Sequence, residues 1–171
     1  MAEPSLPSFI ALDFETADYP PDSACAIGLV RVEHGRITSR HYHLIRPPRP
    51  RFSFTHIHGL TWEDVAREPT FGELWPEIAP LLADVEFLAA HNASFDRNVL
   101  YACCETYGLA PPPHPFRCTV NLARKVWRIF PTKLPDVCRR LSIHLNHHEA
   151  LSDAEACARI VLAAWGAAPE R

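Results

Sequence analysis

Residues 8–16, Ser-Phe-Ile-Ala-Leu-Asp-Phe-Glu-Thr, constrain the chain more than any other stretch. Phe9 to Leu12 and Phe14 give an apolar run suited to a buried β-strand, interrupted by Asp13 and closed by Glu15. Side chains alternate along a strand, so the two acids share one face. Adjacent carboxylates repel, and a cation between them relieves the conflict. With hard oxygen donors and no thiolate nearby, the expected ion is Mg²⁺ or Mn²⁺. For this stretch alone, a strand end whose acids are merely hydrated is the plainer alternative.

Whether such a pair can belong to an enzyme depends on what surrounds it. A chain of 171 residues, 47% hydrophobic and 22% charged, can bury a large core as one globular domain. The domain is expected to span 1–171, with its core at about 8–166. The net charge of −3 disfavours a protein that coats duplex DNA. It does not disfavour one that grips a few nucleotides through metal ions, because the ligand acids enter the count. The six cysteines form no C-x-x-C and mostly sit among apolar neighbours, which predicts reduced core residues and excludes a disulfide framework or a zinc–thiolate site. The 17 prolines with only six glycines predict stiff loops. No apolar run reaches about eighteen residues, and Met-Ala-Glu-Pro-Ser is not a signal sequence, so a cytoplasmic protein without a membrane contact is expected.

In chain order, Ala24–Glu33 and 37–45 read as two further strands joined at Gly35, an antiparallel hairpin. The basic loop 46–52 either touches phosphates or is simply solvated. Loop histidines His56 and His58 are expected to be structural or substrate-contacting. Thr61 and Asp64 are spaced as a helix cap, and Thr70–Leu82 has a helical apolar spacing around Pro76. A short strand over 85–90 leads into a helix to about Tyr107, with Phe95, Val99, Cys103 and Tyr107 as its apolar face. That junction puts Asp96 near a strand's carboxyl end, where open α/β sheets place ligands. A brief strand at 116–119 and helices at 121–127, 134–141 and 150–165 complete the chain. Arg124, Lys125, Arg128, Lys133, Arg139 and Arg140 could line a phosphate track, although scattered cations on helices are more often plain solvent-facing residues. Pro169 to Arg171 is too short to form a tail.

Four acids stand out: Asp13, Glu15, Asp96 and Asp153. His148 lies five residues before Asp153, too far for one clean helical face. It is therefore expected in a loop, free to reach a water as a base. Leu12-Asp-Phe-Glu-Thr16, His91-Asn-Ala-Ser-Phe-Asp96 and His148-Glu-Ala-Leu-Ser-Asp153 resemble, in order and spacing, the three motifs of the DEDDh 3′-to-5′ exonucleases, to which the proofreading epsilon subunit of bacterial DNA polymerase III belongs. The similarity runs from Phe9 to Trp165 and looks like a stand-alone branch.

The resemblance implies an α/β, ribonuclease-H-like fold: a five-stranded mixed sheet with helices on both sides. It implies two metal ions held by Asp13, Glu15, Asp96 and Asp153, with His148 as general base. Thr16 would meet the terminal nucleotide, and Phe14, Phe95 and Asn92 are further candidates for substrate contact. The implied partners are 3′ ends of single-stranded DNA or RNA, DNA favoured. Ala17-Asp-Tyr19 departs from the Thr-Gly that the proofreading subunit has there, which puts that loop's contacts in question. The chain carries no extension that would bind a polymerase, which favours a free-standing enzyme. The rival is an adaptor of the same fold that binds nucleic acid without cutting it; five filled catalytic positions argue against it.

Overall fold

Strand β1 (Phe9–Thr16) sits in the middle of the sheet, and its alternation sorts the molecule into two layers. The computed structural model describes residues 6–167, so the short stretch from Pro169 to Arg171 and the Met-Ala-Glu-Pro-Ser start lie outside the described residues. Strands β2 (Ala24–Glu33) and β3 (Arg36–Leu44) run antiparallel beside β1, the hairpin turning at His34 and Gly35, both at positive φ. On the other side β4 (Phe87–Ala90) and β5 (Phe116–Cys118) pair in parallel. The order β3-β2-β1-β4-β5 is the five-stranded mixed sheet that the resemblance implied.

Helices cover both faces. Ile10, Leu12 and Phe14 enter a core with Phe71, Leu74, Ile78 and Leu82 of α3 (Phe71–Leu82) and with Val99, Leu100 and Cys103 of α4 (Ala93–Thr106). Phe9 and Ala11 point the other way, against Ala154, Cys157, Ala158 and Val161 of α7 (Ala150–Ala167). There Phe9 stacks on Phe87 with centroids 4.9 Å apart and takes the edge of Trp165 at 5.4 Å. Each such pair contributes about 0.5–1.5 kcal/mol beyond its buried area. Helices α5 (Thr119–Trp127) and α6 (Leu134–Leu141) flank α7 through Ala123, Val137 and Ile160. By the same alternation, Asp13 and Glu15 continue the Phe9–Ala11 face towards α7.

Local chemistry explains most element ends. Thr70 caps α3: its hydroxyl accepts from the Glu73 amide at 3.3 Å, and Glu73 reaches back to the Thr70 amide at 2.7 Å. The Thr61 amide donates to Asp64 at 2.8 Å at the start of the short α2 (Trp62–Val65). Residues 54–61, expected as loop, contain one further helical turn, α1 (Thr55–His58), closed by Gly59 in the left-handed region. The expected apolar face of α4 needs one correction: Phe95 is 45% exposed while Val99 and Cys103 are buried. Position 95 shares their face, but at the first turn that face overhangs a cleft instead of the core. The basic loop 46–51 is occupied locally, Arg46 pairing with Glu73, Arg49 with Asp22 and Arg51 with Asp18. All six cysteines are free, and all but Cys118 are buried.

Candidate active site

The carboxyl ends of β1 and β4 open into a cleft of about 1060 Å³, with Asp13 and Glu15 on its floor. Three structural facts bring acids from distant positions together there. Strand alternation aims Asp13 and Glu15 at α7. A left-handed Asn92 (φ 64°, ψ 56°) turns the chain sharply from β4 into α4, which places Asp96 in that helix's first turn. The third is Gly28, opposite Asp13 in the β1–β2 register, where the start of α7 lies directly on the strand. A Cβ on Gly28 would fall on the Ala150 carbonyl and the Leu151 amide, so only glycine lets α7 come close enough to deliver Asp153.

Carboxylate oxygens of Asp13, Glu15 and Asp153 lie within 4.8 Å of one another. Asp96, 1% exposed, accepts a 3.0 Å hydrogen bond from the Phe14 amide. Among the described residues no lysine or arginine pairs with any of the four. Their protonation reflects this. Burial, then the charges of Asp96, Asp153 and Glu15, raise the Asp13 carboxyl well above its usual range. Burial followed by Asp153 and Asp96 pushes Glu15 up to about 8. Asp96 also rises to about 8, burial dominating over the stabilising Phe14 amide. Burial raises Asp153 against the opposing influence of His147. One oxygen of Asp153, Oδ1, is buried with no hydrogen-bond partner. A buried, unsatisfied acceptor beside two further carboxylates is a donor set for a hard divalent cation, and the residues present fit that group.

Around this floor the walls differ. Residues 146–149 form an exposed turn that carries His147 and His148, with His148 at φ 66°. The His148 amide donates to Asp153 Oδ2 at 3.2 Å, and His147 Nδ1 lies 3.0 Å from the same oxygen. The ring of His148 faces the cleft; burial, then His147 and His58, hold its basicity below that of free imidazole. His58 Nδ1 accepts from the Leu60 amide at 3.1 Å, so Nε2 carries the proton and donates to the Thr16 carbonyl at 3.0 Å. This fixes the backbone just after the two acids. Ile57, Phe54 and the exposed Phe95 form an apolar wall, while Asn121, Arg124 and Lys133 edge the opposite side.

Of the substrate-contact candidates, Thr16, Asn92 and Phe95 all line the cleft. Phe14 reaches it through its backbone only, because its ring lies in the core against Phe71, 6.4 Å between centroids. At Phe14 the candidate contact is thus one of backbone, and its amide holds Asp96. Of the six cations at 124–140, Arg124 and Lys133 border the cleft and Lys125, Arg128, Arg139 and Arg140 do not. Three residues with no role assigned from sequence matter here: Gly28, His147 and His91. The His91 ring bonds the Thr119 hydroxyl at 2.8 Å and the Thr132 carbonyl at 2.9 Å, tying the 128–133 loop to the end of β4. Its place beside Asn92 in the second motif was the available signal. For Gly28 there was none, since its partner is remote in the chain.

Fold and floor together define a class: a ribonuclease-H-like sheet carrying a cage of carboxylates at the ends of its central strands. The sequence profile of the exonuclease (RNase_T) family matches residues 10–161, and the chain belongs to that family. It is 30% identical over 159 residues to a DNA polymerase III PolC-type of Thermotoga maritima, covering 91% of this chain and 12% of that protein. It is 32% identical over 146 residues to exodeoxyribonuclease 10 of Escherichia coli, covering 80% of this chain and 59% of that one. The chain thus spans less than two thirds of the curated relatives it matches. Among solved structures, exonuclease X in complex with 5′ overhanging duplex DNA superposes with a TM-score of 0.77 at 26% identity, over 95% of this chain and 94% of that one. The nuclease domain of 3′hExo, a DEDDh family member bound to rAMP, superposes with a TM-score of 0.81 at 19% identity, over 96% and 94%. The latter likeness is one of fold. Proteins of this family depend on divalent metal.

Proposed function

We propose that this chain is a single-domain, metal-dependent 3′-to-5′ exonuclease that hydrolyses phosphodiester bonds at single-stranded or frayed ends and releases nucleoside monophosphates, DNA being the favoured substrate. The observation that carries the reading is the cage itself: three carboxylates sharing one small volume, a buried Asp153 oxygen without a partner, and, among the described residues, no lysine or arginine paired with them. Asp13, Glu15 and Asp153 would hold one Mg²⁺ or Mn²⁺, and Asp96 with Asp13 a second. When bound, such a pair neutralises charge on the phosphate and stabilises the entering and leaving oxygens of an in-line displacement.

The chain's own residues supply the rest. His148, on a solvent-accessible turn, accepts the proton of the attacking water through a ring nitrogen and passes it to solvent. Thr16 and the neighbouring backbone, fixed by His58, seat the terminal sugar. Phe95 and Ile57 offer an apolar wall for its base, while Arg124 and Lys133 face the phosphates that follow. The preference for DNA draws on the names of the relatives, an exodeoxyribonuclease and an exonuclease in complex with DNA. The reading includes a cytoplasmic location; among the described residues no helix is long and apolar enough to cross a membrane. Some relatives are polymerases, but among the described residues no surface identifies a polymerase partner.

The test uses 5′-labelled single-stranded DNA and RNA oligomers with Mg²⁺, Mn²⁺ or EDTA. A metal-dependent ladder shortened from the 3′ side is expected, slowed about a hundredfold or more in His148→Ala. Intact oligomer that is bound but uncut in every metal would overturn the reading and favour the adaptor.

A further inference from the structure

His147 has no part in the chemistry just described, yet it completes a second donor set. One ring nitrogen from His147, one from His148 and a carboxylate oxygen of Asp153 lie within 4.8 Å of one another. The two rings stack with centroids 3.6 Å apart and planes 27° apart, and both are exposed on the 146–149 turn. Asp153, by contrast, is 3% exposed, with Oδ1 buried and unpartnered. The set thus has one rigid, desolvated carboxylate and two imidazoles on a turn that can close around an ion.

This donor chemistry differs from that of the cage. The cage offers oxygen only, which suits Mg²⁺ and Mn²⁺; two imidazoles and a carboxylate suit borderline ions, above all Zn²⁺. Tetrahedral zinc bonds nitrogen and oxygen at about 2.0–2.2 Å, so its donors must approach more closely than 4.8 Å, a small movement for an exposed turn. Three protein ligands leave a fourth position for water.

We propose that His147, His148 and Asp153 form a zinc site, distinct in its donors from the oxygen cage, through which Zn²⁺ inhibits the enzyme. The inhibitory part rests on the exonuclease reading; the binding part does not. Zinc on the His148 ring occupies the lone pair that would accept the water's proton, and it draws on Asp153, which the cage needs. Mn²⁺, at the weak end of the divalent affinity series for nitrogen donors, leaves the histidines free. An activating and an inhibiting ion are thereby distinguished by donor type at positions that share one residue.

The experiment is a zinc titration of the whole protein in competition with a chromophoric chelator, with ring C–H resonances of the histidines followed by NMR. One zinc per chain is expected, with shifts at His147 and His148. His147→Gln and His148→Gln should each weaken zinc binding about tenfold or more. Asp13→Asn and His144→Gln should bind zinc like the parent. Zinc-dependent inhibition, each protein normalised to its own zinc-free rate with Mn²⁺, should move to higher zinc concentration in His147→Gln. Should Asp13→Asn lose zinc as His147→Gln does, zinc sits in the cage and the proposal falls. It falls equally if folded His147→Gln and His148→Gln, checked by circular dichroism, bind zinc like the parent. If the zinc pattern holds but no metal supports cleavage, the exonuclease reading fails while the site stands.

Discussion

Two groups of acids in this molecule meet opposite treatment. Asp18, Asp22, Glu73 and Glu155 each face arginine: Asp18 faces Arg51, Asp22 faces Arg49, Glu73 faces Arg46, and Glu155 both Arg40 at 2.7 Å and Arg159 at 2.6 Å. The Arg40 hydrogen bonds, aided by those of Arg159, hold Glu155 down at about 2. Among the described residues no arginine or lysine pairs with Asp13, Glu15, Asp96 or Asp153, and their carboxyls are raised. The chain carries 17 lysines and arginines and pairs several of its surface acids with them, yet among the described residues none pairs with an acid on the floor of the cleft. The first group is held by ion pairs. The second is held without arginine or lysine, by strand alternation, the Asn92 turn, the clearance at Gly28, the Phe14 amide on Asp96, and His147 and the His148 amide on Asp153. Strain of that kind at a cleft is the mark of a site built for something else to complete.

The sharpest way to break this contrast is to remove one acid from each group. Asp13→Asn should lower metal-dependent cleavage about a thousandfold or more, measured on labelled oligomers. It should also raise the thermal midpoint of the protein in EDTA, because one of four repelling charges is gone. Loss of activity with gain of stability is the opposite of what a structural acid would show. If Asp13→Asn both cuts and melts like the parent, the four acids are not a functional unit.

Next in size is the effect of metal on the folded state. An ion that binds only the native cage stabilises it by about 2.7 kcal/mol at a hundredfold excess over its Kd. For a chain of this length that corresponds to roughly 5–10 °C in Tm. Mg²⁺ or Mn²⁺ should produce this rise in calorimetry, and EDTA should reverse it. Asp153→Asn should abolish it, while Asp22→Asn should leave it intact. A rise of equal size in Asp153→Asn would place the ion elsewhere.

A smaller effect tests the packing side of the contrast. Gly28→Ala puts a methyl group on the Ala150 carbonyl, and overpacking of this kind costs about 1–3 kcal/mol. The expected result is a lower chemical-denaturation midpoint together with a weaker apparent metal affinity, since α7 must move and Asp153 moves with it. A stability loss with metal affinity unchanged would show that Gly28 serves the fold only.

Gly28 also shows where sequence reading stops. The β1 acids were legible because strand alternation is local, and the separate strands and helices because apolar periodicity repeats along each element, whereas the five-stranded mixed sheet came from the family resemblance. Asp96 and Asp153 were legible through motif spacing, as was the place of His148 outside the helix. What stayed hidden depends on contacts between remote segments. Gly28 reads as one more residue of an apolar strand until Ala150 is seen lying on it. Phe95 carries the right spacing for a buried face, but spacing cannot say that the first turn of α4 overhangs a cleft. His147 and His148 look alike in sequence, and only the fold shows that both rings reach Asp153.

The smallest expected effect concerns the paired acids, and its sign is set by linkage. Burial alone would raise Asp22, but the Arg49 guanidinium and the Thr106 hydroxyl outweigh it and hold its carboxyl below the ordinary aspartate value of 3.8. A group depressed in the folded state stabilises the protein above its unfolded value, and that contribution disappears as pH falls through the folded value. Asp22→Asn removes the contribution. At neutral pH the variant should be less stable than the parent by under about 1 kcal/mol, because Arg49 is largely solvated and screened. Below about pH 4 the two proteins should converge, as the parent protonates Asp22 and loses the same ion pair. Urea unfolding from pH 7 to pH 2.5 measures this directly. A stability difference that persists unchanged to pH 2.5 would mean that Asp22 acts through its hydrogen-bonding shape and not its charge, and the two groups of acids would then differ in packing alone.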